Sequence, residues 1–451
     1  MGKSQILFCF CLVEPFPYPM KISRTALILM TAFIMYIQSD STSLAFHAGG
    51  VGPCNACHSM HNAPGSSNSG LLKASDASST CLHCHEQPGA TGPSSFHVST
   101  NIADMPEGSP PRQLTPGGDF GWLKKTYTWV PGLTQVPLIS YGDRHGHNIV
   151  AWDYSYYVDL TNSTAPQGTY RAANLSCISC HDPHGKYRRD SSGLIKTAEA
   201  PIRGSGSYAS SVEPRVDQSV GAYRMLAGRK YSPRYLGGSD AFLNDPPVAV
   251  APDVYNRAET LRQTRVAYGS GMTEWCQNCH TNMHSVMSSE TSTNPVTHPV
   301  GATAKLGVTI SGNYNAYINS GNLGGMATTA YLSLVPFEEG ISDYATLKAH
   351  AKTNDTYLSG PDSSSQVMCL TCHRAHASGW DSATRWNTKT GYIVYNGSYS
   401  QEGLPYQPYG QGRRELEAQR AYYDMLATRF TSTSLLNQDT LCHKCHSGAL
   451  P

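Results

Sequence analysis

The pattern of apolar and polar positions predicts little regular structure in this chain. Residues 412–430 have helical spacing, with Leu416, Tyr423, Leu426 and Phe430 placed for one face. Residues 122–130 read as a short strand. Elsewhere neither period persists, so the expected architecture is mostly coil and loop, with a few short helices and minimal strand. One apolar run stands apart. Residues 25–37 are almost wholly apolar, follow the basic stretch Met20-Lys21-Ile22-Ser23-Arg24, and lead to a polar segment ending in Ser43-Leu44-Ala45. Basic start, apolar middle and small residues at the end make an export signal. The run is too short and too poorly flanked to span a bilayer. Cleavage is expected before Phe46, so residues 1–45 are an extension plus signal and residues 46–451 a single domain. The residues before Met20 read as an upstream start-site extension.

Composition sharpens the problem of the core. Only 39% of the 451 residues are apolar, while Gly (41) and Pro (28) are abundant. Such a chain needs another source of buried surface. Charge is nearly balanced, 33 basic against 32 acidic residues, which implies no broad pull toward nucleic acid. Of 14 cysteines, Cys9 and Cys11 lie in the removable segment. The other twelve all fall in one repeated pattern. The units are Cys54-Asn55-Ala56-Cys57-His58, Cys81-Leu82-His83-Cys84-His85, Cys177-Ile178-Ser179-Cys180-His181, Cys276-Gln277-Asn278-Cys279-His280, Cys369-Leu370-Thr371-Cys372-His373 and Cys442-His443-Lys444-Cys445-His446. Two thiols separated by two residues can both reach the vinyl groups of one haem, and the next residue, His, then lies under the iron. Zinc knuckles or short disulfides would explain the cysteine pairs but not a histidine after every pair. The sequence therefore predicts a multihaem cytochrome whose core is six closely packed covalent c-type haems.

With His58, His85, His181, His280, His373 and His446 as proximal ligands, twelve of the 18 histidines remain. His83 and His443 sit inside attachment loops, pinned at the haem edge, and are read as bystanders. His145 and His147 flank Gly146, and only one of them is expected to ligate. The candidates for six distal positions are His47, His61, His97, His147, His184, His284, His298 and His376, with His350 a ninth. His61, His184 and His376 follow a proximal histidine by three residues, and His284 follows by four. None of these four can reach the far face of its own haem, but each can reach a neighbour, which implies close haem packing. Methionine is the competing sixth ligand, and Met60 and Met283 lie near units. Histidine is in surplus, and ligation by two histidines gives lower potentials than Met/His. The 27 tyrosines are read as packing against porphyrin faces, and Lys186, Arg188 and Arg189 as partners of haem propionates. The units begin 27, 96, 99, 93 and 73 residues apart, with no internal repeat beyond themselves.

The chain resembles the hexahaem outer-surface cytochrome S family (OmcS type) of metal-reducing bacteria, the cytochrome nanowire proteins. The resemblance spans the whole mature chain. It rests on Phe46-His47-Ala48-Gly49-Gly50, Ser59-Met60-His61-Asn62, Thr91-Gly92-Pro93-Ser94-Ser95-Phe96-His97 and residues 114–129 (LTPGGDFGWLKKTYTW). It continues through Gly146-His147-Asn148, His181-Asp182-Pro183-His184-Gly185-Lys186-Tyr187, Thr264-Arg265-Val266-Ala267-Tyr268, Pro336-Phe337-Glu338-Glu339-Gly340 and His373-Arg374-Ala375-His376-Ala377-Ser378-Gly379. Trp380 is one departure, bulkier than the family pattern suggests. The resemblance implies two-histidine ligation of every haem, alternating parallel and T-shaped haem pairs, and head-to-tail polymerisation in which His61 ligates the iron of the unit at His373 in the next subunit. It also implies an exported protein at the outer surface, with outer-membrane cytochrome conduits and extracellular acceptors such as Fe(III) oxides as partners. The residues alone leave two alternatives: a monomeric shuttle, and a multihaem reductase with one open iron.

Overall fold

The computed structural model describes residues 56–59, 71–86, 97–131, 136–183, 188–189, 195–196, 226–229, 231–233, 242–252, 264–283, 298–402, 410–432 and 434–446, with 188–189, 195–196 and 344 described by backbone alone. All of them fall within the unit Ala45–Pro451. Residues 1–45, read from the sequence as an extension and export signal, lie outside the described residues. So do Cys54, His47, His61, His184, His284, Met60 and Lys186.

Loops dominate, as the hydrophobic pattern predicts. The α-helices among the described residues are α1 (Ala77–His85), α2 (Cys177–Cys180), α3 (Met272–Cys276), α4 (Gly307–Ala316), α5 (Tyr344–His350), α6 (Cys369–Cys372) and α7 (Glu415–Ala421). None is long and apolar enough to cross a membrane. Strands pair only locally. β1 (Tyr127–Trp129) pairs with β2 (Leu138–Ser140), β3 (Arg188–Arg189) with β4 (Ile195–Lys196), and β5 (Val248–Val250) with β6 (Ala267–Ser270). β7 (Tyr392–Tyr395) lies between β8 (Ser398–Tyr399) and β9 (Gln438–Asp439).

Two predicted elements are shorter than their patterns. In residues 412–430 the helix survives only as α7, capped by the Glu417 carboxylate accepting from the Arg414 amide at 3.2 Å. Tyr423 (φ 59°) and Asp424 (φ 54°) take left-handed backbone and end it. A separate 3-10 turn, Ala427–Phe430, follows. The break re-aims the side chains. Tyr423 and Phe430 are buried, while Leu416 and Leu426 are 62% and 50% exposed, so no single apolar face exists. In residues 122–130 the strand is only β1. Trp122 belongs instead to the 3-10 turn Phe120–Lys124, because the buried Asp119 carboxylate accepts from the Gly121 amide at 2.7 Å and winds the chain.

The protein core is divided. The largest apolar cluster is aromatic, built on Trp122, Trp380, Trp386, Tyr314, Tyr422 and Phe337, and it packs against Cys372, Cys442 and Cys445. Smaller clusters abut Cys276 and Cys177. Apolar surface thus gathers beside attachment cysteines, where a flat hydrophobic cofactor would join the patches.

Candidate haem centres

Each attachment unit with described helix geometry sits on a short helical turn. α1 ends in the second unit, α2 and α6 are the Cys-x-x-Cys segments of the third and fifth, and α3 runs into the fourth. The sixth lies on the 3-10 turn Leu441–Lys444. A helical turn sets residues three apart on one face, so both thiols point the same way. The same bond closes four of the turns. The amides of His181, His280, His373 and His446 donate to the carbonyls of Cys177, Cys276, Cys369 and Cys442 at 3.0–3.1 Å. His181 and His373 then take extended backbone, which carries the chain off the helix. None of the eleven described cysteines forms a disulfide.

The histidines meet in pairs. Ring centroids are 6.2 Å apart for His147 and His280, 6.3 Å for His181 and His376, and 6.0 Å for His298 and His446. Two imidazoles on one iron axis, each nitrogen about 2 Å from the metal, place their centroids about 6 Å apart. The donor sets therefore fit a haem iron between them. His97 is buried within electrostatic reach of His85. Backbone carbonyls fix the rings. Nδ1–H donates from His147 to Ala375 O (2.8 Å), from His280 to Pro166 O (2.9 Å), from His373 to Ser382 O (2.7 Å) and from His298 to Pro299 O (2.9 Å). Nε2 is left free to ligate. Desolvation, and then the facing His280, hold His147 down to about 4, so it is neutral at physiological pH. Burial and His298 likewise lower His446.

His147 and His376 hang from one backbone junction. The His147 amide donates to His376 O (2.9 Å), the His376 amide to Gly117 O (2.7 Å) and the Ser378 amide to His145 O (3.0 Å). Ala377 bridges Gly118 on one side and Gly146 on the other. The approach is too close for side chains. A Cβ at Gly118 (φ +98°) would lie 1.8 Å from Ala377 O, and one at Gly146 2.3 Å from His376 O.

The units run in a line. Cys57 lies within electrostatic reach of Cys84, Cys180 of Cys279, and Cys372 of Cys442 and Cys445. Between these, thiols of successive units come close enough to shift one another's ionisation: Cys81 with Cys177, and Cys276 with Cys369. The two thiol contacts are built alike. The Cys177 amide donates to the Ser78 hydroxyl at 3.1 Å and the Cys369 amide to the Thr273 hydroxyl at 3.4 Å. Ser78 and Thr273 each stand three residues before the first cysteine of their own unit. Touching and spaced neighbours alternate along the line.

No family model matches the chain. It is 50% identical over 440 residues to the C-type cytochrome OmcS of Geobacter sulfurreducens, across 93% of this chain and 98% of that protein. The chain belongs to the OmcS family of c-type cytochromes. Two solved structures of that protein, an Outer Membrane Cytochrome S filament and the OmcS nanowires from Geobacter sulfurreducens, match with a TM-score of 0.78 and 50% identity. Each match covers 90% of this chain and 100% of the other. As an OmcS-family cytochrome the chain holds haem covalently and carries electrons.

Other histidines of this OmcS-family chain do different work. His145 is fully buried. Its Nδ1–H donates to Trp122 O (3.0 Å), and Nε2 meets Ser140 Oγ (2.8 Å) beside Asp381 (3.6 Å) and the buried Arg413. His350 donates to Glu339 (2.6 Å) and stacks on Tyr357. His443 meets Asp439 at 3.2 Å, and His83 is exposed on α1. The candidates His47, His61, His184 and His284 lie outside the described residues. Sequence reasoning missed Ser140, Asp381, Arg413 and the carbonyl partners of the rings, because nothing local marks them. Trp380 is buried with the Arg413 guanidinium over its ring at 4.3 Å, which gives its bulk a place.

Proposed function

We propose that the mature chain, residues 46–451, carries six covalent haems, each ligated by two histidines. We propose also that it polymerises head to tail into a filament conducting respiratory electrons to extracellular acceptors such as Fe(III) oxides. The observation that carries this reading is the single line of attachment units, in which touching and spaced neighbours alternate without a gap. Haem supplies a one-electron couple at low potential. The chain's part is to hold imidazoles such as those of His147, His280, His298 and His373 by Nδ1 so that Nε2 can ligate, bring successive units close, and surround them with aromatic side chains.

The polymer follows from the family. A contact between unlike faces that does not close generates a filament. His61, near the mature N-terminus, is the proposed donor to the iron of the unit at His373 in the neighbouring subunit. Export through the periplasm, cleavage before Phe46, and electron supply from outer-membrane cytochrome conduits complete the proposal. Cryo-electron microscopy of purified protein tests it: filaments with continuous haem density are expected, and uniform monomers at all concentrations would overturn the polymer.

A further inference from the structure

We propose that Glu338 is a proton-binding site coupled to the haems of the fourth and fifth units, so that the chain takes up a proton there as it takes up an electron. The side chain is fully buried. One oxygen accepts the Met272 amide at 2.7 Å, at the start of α3, the turn that leads into Cys276. The other, Oε2, is buried without a hydrogen bond. Glu274, further along α3, repeats the arrangement: Oε1 accepts the Ala302 amide at 3.0 Å and Oε2 is buried without a partner. Neither carboxylate forms an ion pair among the described residues. Between Met272 and Glu274, Thr273 meets Cys369 of the fifth unit, and both carboxylates act electrostatically on that thiol. Two acidic groups therefore lie where the fourth and fifth units touch.

The surroundings favour a proton on Glu338. Directly opposite on the paired backbone is Gln366, whose buried amide oxygen also lacks a hydrogen bond. The backbone of Tyr268 on β6 bridges Glu338 from the other side. The adjacent cation Arg265 is engaged by Glu339, which also receives His350. Burial pushes Glu338 up to about 7; the Met272 amide pulls it down, and Glu274 pushes it up again. An electron arriving nearby adds negative charge and raises it further. The electron comes through the haem line and the proton from solvent. Glu338 gains an O–H bond and loses its charge.

The proposal rests on units four and five holding haem, which the visible absorption of each preparation reports separately. The test is spectroelectrochemical titration of the full-length holoprotein between about pH 5 and about pH 9, spanning the raised carboxyl. In the native protein, some midpoint potentials should fall as pH rises through neutrality. Glu338→Gln should hold them at their acid-side values, and Glu338→Asp should restore the dependence. Glu274→Gln should move the window to lower pH without abolishing it. An unchanged pH dependence in Glu338→Gln overturns the proposal. If that variant yields no holoprotein, native reduced-minus-oxidised infrared spectra near neutral pH decide. A gained protonated-carboxyl band supports the site, and no such band overturns it.

Discussion

The amide of His147 donates to the carbonyl of His376 at 2.9 Å, yet the two rings face different attachment units, His147 toward His280 and His376 toward His181. One backbone junction thus serves the third and fourth attachment units. His147→Ala or His376→Ala should each open one iron. Electron paramagnetic resonance of the oxidised protein should then show about one haem in six turning high-spin.

Gly118→Ala should disturb both at once. Its Cβ would press on Ala377 O, a backbone atom that cannot move alone, and glycine's left-handed backbone is lost as well. The expected cost is at least about 2 kcal/mol, read as a lower thermal midpoint, with high-spin signal from two haems.

His145 makes the contrast. It is the neighbour of a ligand but is bonded into protein on both nitrogens. His145→Ala should leave every haem low-spin and destabilise the fold by about 1–3 kcal/mol through the buried partners it strands. The same cluster predicts an acid limb. Burial alone would raise Asp381, but bonds from His145, Lys389 and Ser140 outweigh it and hold the carboxyl well below its ordinary range. A depressed carboxyl stabilises the fold above its unfolded pKa, and that contribution is lost as pH falls toward the folded value. Thermal midpoints should therefore drop below about pH 4, and Asp381→Asn should flatten that drop.

Intact mass should report six haems on residues 46–451, from the twelve paired cysteines. Five or fewer would remove the sixfold line.

His61→Ala should leave five haems with two histidines and open the iron of the unit at His373. Filaments should shorten or vanish, while His97→Ala should disturb only a haem within the subunit. Normal filaments with six low-spin haems in His61→Ala would place the joint elsewhere.

The attachment units are legible in sequence because thioether chemistry needs only five consecutive residues. The sequence points to His147 and not His145, but no neighbouring residue in the chain gives the physical reason. That reason lies in Trp122, Ser140 and Asp381 around one ring and in Ala375 and His280 around the other. The helix over residues 412–430 was misread because Tyr423 and Asp424, neither Gly nor Pro, take left-handed backbone under tertiary constraint: the Tyr423 hydroxyl bonds Thr115 O and its ring lies under Arg374. The likeness of the two thiol contacts is equally hidden, since it pairs a serine with a threonine and repeats no sequence.

Those thiol contacts bear on how the protein is made. Cys81 and Cys177 would bond different haems, as would Cys276 and Cys369, yet in the folded chain the two thiols of each pair lie close enough to act on one another. A chain that collapsed before haem arrived would present both pairs to an oxidising compartment, where a disulfide would lock each cysteine away from its vinyl group. Maturation is therefore expected to attach haem at these units while the chain is still open, with the final compaction following ligation.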